Sequence, residues 1–216
     1  HYEKDIFYEG GREDIFNIDD YFNDLTAVQA AQPADEPRLL PGVELGYLPH
    51  LNGHFAQVTA QWPFNSVILS LHILEGQDPF VLTSMYDPGK TDVYRRYLRQ
   101  LSQMITACPD FDIIGHFDYI SRYAPYPDRK IYYAEFPKEF DYLFGQMIQA
   151  GKALEINTRT IVKLQSCGYQ GLDAWPAMPT SQTNAATSSR KPSPGCVISA
   201  AGRSSIMKKD KQLLIN

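Results

Sequence analysis

The stretch Ser66-Val67-Ile68-Leu69-Ser70-Leu71-His72 decides the fold class of this chain. Its apolar residues form a near-continuous run, which is typical of a strand that is buried on both faces of a parallel sheet. Three more stretches have this character, and all four end in a residue that can bind a divalent metal. The other three predicted strands are residues 39–44, 111–116 and 153–157.

Helical patterning separates the predicted strands, with helices expected at residues 19–31, 52–62, 91–107 and 136–150. The third helix has the clearest pattern, since Val93, Tyr97 and Leu101 lie on one side while Arg95 and Arg99 lie on the other. Gly151 is expected to cap the fourth. This alternation of strands and helices predicts an α/β fold with a parallel sheet. Four strands are too few to close a barrel, so we interpret the chain as part of a β/α barrel.

Composition limits the function classes. The chain has 216 residues, 44% of them hydrophobic, and a net charge of -5, which suits one globular domain and argues against a nucleic-acid partner. No apolar run is long enough to span a bilayer. Three scattered cysteines indicate a reducing compartment, so a cytoplasmic location is expected. The oligomeric state does not follow from these features.

Glu44, His72 and His116 are the candidate metal ligands, because the C-terminal ends of barrel strands converge on one face. Each residue alone has a simpler interpretation, as a loop glutamate or a core histidine. Together, at equivalent ends of successive strands, they favour a metal site and hydrolytic chemistry. Gly115 permits close backbone approach beside His116, and Asp118 is a candidate to hold the His116 ring in place.

Other polar residues carry weaker signals. Arg122 and Arg159 follow the third and fourth strands, where each is either a phosphate ligand or an ordinary surface arginine. His50 and His54 are interpreted as surface or loop-packing residues. His1 is ambiguous, because a terminal histidine is usually frayed.

Several motifs, in order, resemble the histidinol-phosphate phosphatases of the PHP (polymerase and histidinol phosphatase) superfamily. The resemblance covers residue 1 to about residue 160. It rests on Gly42-Val43-Glu44-Leu45-Gly46-Tyr47, on Ser70-Leu71-His72 with Gly76-Gln77-Asp78-Pro79-Phe80, on Gly115-His116-Phe117-Asp118 with Arg122-Tyr123, and on Gly151-Lys152-Ala153-Leu154-Glu155-Ile156-Asn157-Thr158.

This resemblance implies a distorted (β/α)7 TIM-like barrel, incomplete in this chain. It also implies a cluster of two or three divalent metal ions, of which Zn, Mn or Fe suit mixed His and carboxylate ligands. The implied activity is hydrolysis of the small-molecule ester L-histidinol phosphate to L-histidinol and phosphate, in histidine biosynthesis. No nucleic acid or membrane partner is implied.

The resemblance also assigns roles to single residues. Glu44, His72 and His116 match catalytic metal ligands, and Glu44 is expected to bridge two ions. His1 matches the ligand that closes a Thr/Ser-Asp-His motif. Arg122 and Arg159 become the candidates for the substrate phosphate.

Two family motifs are absent from the sequence, an N-terminal His-x-His and a C-terminal Ser-Asp-Ala-His. The chain begins with His1, so an N-terminal truncation is expected. An alternative reading frame of the last part permits family-like segments, which favours a frameshift between about residues 160 and 175. We therefore expect a partial metallophosphatase domain at residues 1–163 and an out-of-frame or disordered tail at residues 164–216.

Two alternatives remain open. One is a PHP phosphoesterase with another substrate, such as a nucleotide or a nucleic-acid end. The other is a non-catalytic fragment that binds no metal. Because end strands of a barrel would be missing, we also expect low solubility or oligomerisation and low activity of this chain by itself.

Overall fold

A four-stranded parallel sheet forms the centre of the fold. The structure is a computed structural model that describes residues 1–7, 13–33, 35, 37–157 and 198–199. The sheet has the strand order β3-β4-β5-β6, and every neighbouring pair is parallel. Its strands are β3 (Gly42–Gly46), β4 (Ser66–Ser70), β5 (Ile113–Ile114) and β6 (Ala153–Leu154). The predicted α/β class with a parallel sheet is confirmed.

The strands differ from the predicted ones at their ends. Strand β3 continues beyond Glu44 to Gly46, because Gly46 still pairs with Ser70 of β4. Strands β4 and β5 end before their histidines, so that His72 and His116 each lie two residues beyond a strand. Glu44 therefore projects from within a strand, while the two histidines lie on the segments that follow strands.

The first residues add a further segment to the sheet edge. Strands β1 (Glu3–Phe7) and β2 (Glu13–Asp14) form an antiparallel pair. Tyr2 makes a parallel bridge with Leu45, its N–H donates to the Glu44 carbonyl at 2.8 Å, and its carbonyl accepts from Gly46 N–H at 3.1 Å. The sequence analysis did not predict these strands.

The helices follow the predicted pattern closely. They are α1 (Ile18–Ala31), α2 (Asn52–Gln61), α3 (Lys90–Ala107), α4 (Tyr119–Tyr123) and α5 (Pro137–Ala150). Short 3-10 turns occupy Pro49–Leu51, Thr83–Tyr86 and Tyr133–Glu135. The Asn17 side chain caps α1 by accepting N–H bonds from Asp19 and Asp20. Gly151 ends α5 with φ 66°, a left-handed conformation that favours glycine, so the predicted cap is confirmed. Of these five helices in the described part of the chain, α4 was not predicted.

Helix α3 supports the segment after β4 that carries His72. Its apolar face is buried in the core at Val93, Leu98 and Leu101, which are fully inaccessible. Two polar groups of the same helix bind the neighbouring main chain: Tyr97 Oη donates to the Leu71 carbonyl at 3.4 Å, and the Gln100 amide donates to the Ile73 carbonyl at 3.2 Å. These bonds hold the backbone on both sides of His72.

The chain beyond the sheet is described at only a few positions. Strand β7 (Ile156–Asn157) pairs in parallel with β8 (Ile198–Ser199). The predicted boundary between residues 163 and 164, and nearly all of the predicted tail, lie outside the described residues. Within the part that the structure describes, no helix has the length and apolar character needed to cross a membrane.

Candidate metal centre

Glu44, His72 and His116 come together at one edge of the parallel sheet, as the sequence predicted. One ligand atom from each lies within 4.8 Å of the others. The two Nε2 atoms of His72 and His116 are 3.0 Å apart. Glu44 Oε1 lies 3.3 Å from His116 Nε2 and 3.6 Å from His72 Nε2.

This spacing fits a bound divalent cation. Tetrahedral zinc with bonds of about 2.0–2.1 Å keeps its ligand atoms about 3.3 Å apart, which is close to the three distances observed here. Both histidines are buried, with 6% and 7% of their surface exposed. Two converging imidazole nitrogens and one carboxylate oxygen are a common donor set for zinc, manganese or iron.

Gly115 brings His116 close to the neighbouring strand. A Cβ atom at position 115 would overlap Ser70 Oγ and would lie 2.9 Å from Ile68 Cγ2. The glycine therefore lets the chain after β5 approach β4, as the sequence analysis expected. A larger residue here would collide with Ser70 and Ile68, so the contact between the two strands would have to rearrange.

Glu44 faces two groups of partners with its two oxygens. Ser70 Oγ donates a 2.7 Å hydrogen bond to Oε1, which also faces His72 and His116. Oε2 lies 2.9 Å from His1 Nε2. Burial alone would raise the pKa of the Glu44 carboxyl, but His1 and His116 hold that pKa far below its usual range. The carboxylate is thus kept charged.

His1 lies at the exposed rim of the centre, with 53% of its side chain accessible. The pKa of His1 rises to about 10, chiefly because the carboxylates of Glu3 and Glu44 lie close to its ring. The structure thus places His1 beside Glu44, with its ring stacked against the His72 ring at 6.2 Å between centroids.

The sequence analysis missed Glu3. This carboxylate is only 2% exposed, and its Oε1 lies 2.7 Å from His72 Nδ1 and 3.6 Å from His1 Nδ1. Burial raises the pKa of Glu3, but the contacts with His1 and His72 outweigh it and lower that pKa to about 2. The sequence held one signal for Glu3: in a strand, alternate residues face the same side, so Glu3 should lie on the same face as His1.

Glu155 was also missed, although it lies inside a predicted strand. Its Oε2 accepts a 2.8 Å hydrogen bond from the backbone N–H of His116, and the residue is buried. The expectation for Asp118 was wrong, since His116 Nδ1 has no hydrogen-bond partner among the described residues. The backbone of His116 is held instead, through Glu155, because the ladder between β5 and β6 brings Glu155 beside it: Glu155 N–H donates to the Ile114 carbonyl.

Arg122 is linked to the two histidines through contacts with the Tyr119 ring. Its guanidinium carbon is 5.3 Å from the centroid of the Tyr119 ring. The Tyr119 ring in turn lies 4.9 Å from the His72 ring and 5.0 Å from the His116 ring. Arg159, the other phosphate candidate, falls outside the described residues.

His50 and His54 have contacts away from the cluster. His50 Nε2 lies 2.9 Å from Asp5 Oδ2. The hydrogen bond between His54 Nε2 and Tyr2 Oη is 3.1 Å long. The interpretation of both as packing or surface residues agrees with these contacts.

Comparison with known proteins gives consistent results. The model of the PHP domain family matches residues 11–159. A probable histidinol-phosphatase of Clostridium acetobutylicum is 29% identical over 163 residues, which cover 76% of this chain and 62% of the relative. A histidinol-phosphatase of Lactococcus lactis subsp. lactis is 29% identical over 154 residues, which cover 71% of this chain and 57% of the relative.

A solved structure is similar as well. It is a histidinol phosphate phosphatase of Lactococcus lactis subsp. lactis in complex with zinc, L-histidinol and phosphate. The match has a TM-score of 0.63 and 27% identity, and covers 71% of this chain and 58% of the other. This chain therefore spans about three fifths of the length of the relatives that it matches.

Proposed function

Because this chain belongs to the PHP domain family, we propose that it forms part of a metal-dependent phosphomonoesterase. The proposed substrate is L-histidinol phosphate, and the products are L-histidinol and phosphate, a step of histidine biosynthesis. The observation that carries the proposal is the converging cluster of Glu44, His72 and His116. Support for the substrate comes from the names of the relatives and from the L-histidinol and phosphate bound to the similar structure.

The described sheet would then be part of a distorted (β/α)7 barrel. Ligands at the C-terminal side of successive parallel strands support this architecture, because active sites of such barrels form on that face. Strands from elsewhere in the protein would complete the barrel and the remaining ligands.

The residues that would hold metal are Glu44, His72, His116 and His1. Glu44 Oε1 with the two buried histidines would hold one cation, and Oε2 with His1 would contribute to a second, within a cluster of two or three Zn, Mn or Fe ions. Such cations neutralise charge on phosphate oxygens and lower the pKa of water, so that a nucleophile exists at neutral pH. Ser70 fixes the orientation of Glu44 by its hydrogen bond, and Glu155 fixes the backbone of His116.

Arg122 would bind the substrate phosphate. Its guanidinium lies against the Tyr119 ring, and a guanidinium can form two parallel hydrogen bonds to the oxygens of a phosphate held at the cluster. Arg159 is proposed for the same role on the basis of its position after the fourth predicted strand. Each arginine would fix the ester relative to the metal ligands.

A substrate panel tests this function. Protein expressed from the natural gene would be loaded with Zn, Mn or Fe and given L-histidinol phosphate, nucleoside monophosphates and a nucleic acid with a terminal phosphate. Preferential release of phosphate from L-histidinol phosphate is the expected result. A preference for a nucleotide would point to another phosphoesterase, and folded protein that binds no metal would contradict the enzymatic function.

A further inference from the structure

The buried carboxylate of Glu3 has no role in the function proposed so far. Charged side chains are almost never fully buried unless they are paired, and Glu3 is 2% exposed. His72 Nδ1 lies 2.7 Å from its Oε1. The other nitrogen of the same ring, Nε2, points to His116. His72 therefore lies between Glu3 and the proposed metal position.

The backbone places Glu3 there by pairing with β3. Because Tyr2 bridges to Leu45, the residues on either side of Tyr2 lie on the face of the sheet that also carries Glu44 and Gly46. His1 therefore lies beside Glu44, and Glu3 lies beside Gly46.

The absence of a side chain at Gly46 makes room for the Glu3 carboxylate. A Cβ atom at position 46 would lie 3.1 Å from Glu3 Cγ and 3.1 Å from Ile6 Cδ1. These contacts are tighter than nearly all real Cβ contacts, so a side chain at position 46 would force Glu3 or Ile6 to shift by a few tenths of an ångström.

We infer that Glu3 is a positioning residue for His72. Its carboxylate favours the imidazole tautomer with hydrogen on Nδ1, so that Nε2 keeps its lone pair for a cation. Histidine ligands commonly donate their second N–H to a carboxylate, which fixes the ring and strengthens the ligand. This inference rests on the proposed function, because it assumes that His72 Nε2 binds metal.

The geometry favours this role over a simple ion pair with His1. His1 Nδ1 lies 3.6 Å from Glu3 Oε1, whereas His72 Nδ1 lies at 2.7 Å. His72 Nδ1 makes no hydrogen bond of good geometry with a described residue. Glu3 Oε1, at 2.7 Å, is close enough to this nitrogen to accept one.

The test compares Glu3→Leu, which removes the acceptor, with Glu3→Gln, which keeps an amide oxygen in its place. Glu139→Gln is the matched control, because Glu139 is also largely shielded and ion-paired, to Arg95 at 3.1 Å, but lies on α5. Two quantities are measured: the zinc affinity by competition with a chelator, and the ring ¹⁵N shifts of His72 in the metal-free protein.

Glu3→Leu should bind zinc about 10–100-fold more weakly with unchanged stoichiometry. Its His72 ring should become a mixture of tautomers, while the wild type shows hydrogen on Nδ1 alone. Glu3→Gln should recover most of the affinity, and Glu139→Gln should match the wild type. Gly46→Ala, which keeps Glu3 but crowds it, should also weaken zinc binding. This variant replaces Glu3→Leu in the test if Glu3→Leu does not fold.

Three results would overturn the inference. Wild-type affinity and an unchanged tautomer in Glu3→Leu or Gly46→Ala would show that Glu3 does not act through His72. Loss of a whole zinc equivalent in Glu3→Leu would make Glu3 a ligand instead. Wild-type protein that binds no zinc would refute the proposed function itself. This result differs from the first, in which zinc binds but substitution of Glu3 leaves its affinity unchanged.

Discussion

His72 and His116 are 44 positions apart in the chain, yet their Nε2 atoms lie 3.0 Å from each other. Two neutral imidazoles can share this distance by one N–H···N bond or by binding one cation. Glu44 Oε1 stands beside both nitrogens, which adds negative charge where a cation would lie. The pair therefore has the form of two ligands of one centre.

The first prediction concerns Glu44. Glu44→Gln should reduce zinc affinity and phosphatase activity by more than about 100-fold, because it removes the charge that faces both His72 and His1. Zinc content after dialysis and phosphate release measure the two effects. Glu75→Gln, at an exposed glutamate paired with Arg96, is the control and should behave like the wild type. Full zinc binding in Glu44→Gln would contradict the assignment.

The second prediction concerns the close approach at Gly115. Gly115→Ala should lower the free energy of unfolding by about 1–3 kcal/mol, because the new methyl group overlaps Ser70 Oγ and strains the packing. Gly145→Ala in helix α5 meets no atom within 4 Å and should raise stability by about 0.5–1 kcal/mol, since alanine favours helix. Urea unfolding of the metal-free proteins compares the two. Equal effects would contradict the crowding at Gly115.

The third prediction concerns acid stability without metal. The pKa of Glu3 falls from 4.5 to about 2 in the fold, so the folded state holds this proton less tightly than the unfolded state. The resulting stabilisation is fully present above pH 4.5 and is lost as the pH falls through about 2. It amounts to at most about 3 kcal/mol.

Urea unfolding over this pH range measures the loss. Glu3→Gln cannot titrate at position 3, so its free energy of unfolding should depend less steeply on pH than that of the wild type. A profile as steep as that of the wild type would show that the Glu3 carboxyl is not stabilised in its charged form.

The fourth prediction concerns Arg122. Arg122→Met should raise KM for L-histidinol phosphate about 10-fold or more, because a guanidinium contributes paired hydrogen bonds to phosphate. Zinc affinity should stay unchanged. Arg99→Met, at an arginine whose side chain is 64% exposed on helix α3, is the control. An unchanged KM would show that Arg122 does not bind the substrate phosphate and is an ordinary surface arginine.

The sequence predicted the features that depend on local pattern. Helix α3 follows from apolar residues at three- and four-residue steps, and the parallel sheet follows from runs such as residues 66–72. Glu44, His72 and His116 could be grouped because strand ends of a parallel sheet share one edge. Their short separations agree with that reasoning.

What the sequence did not reveal depends on long-range pairing. Glu3 enters the site because Tyr2 bridges to Leu45. The alternation of His1 and Glu3 places them on one face, but it does not show with which strand they pair. Glu155 lay within a predicted strand, and its hydrogen bond to His116 depends on the ladder between β5 and β6. Strand β3 was predicted to end at Glu44, but its true end follows from pairing with Ser70.

The parallel order of the sheet has a consequence for folding kinetics. Parallel strands that are distant in sequence pair slowly, because long loops must close before their contacts form. The Nε2 atoms of His72 and His116 can meet only after β4 and β5 have paired. A chain that refolds with cobalt present should therefore develop its visible absorption in the late phase of folding, after the helical signal in circular dichroism. The absorption of the bound cobalt would then report when the sheet is complete.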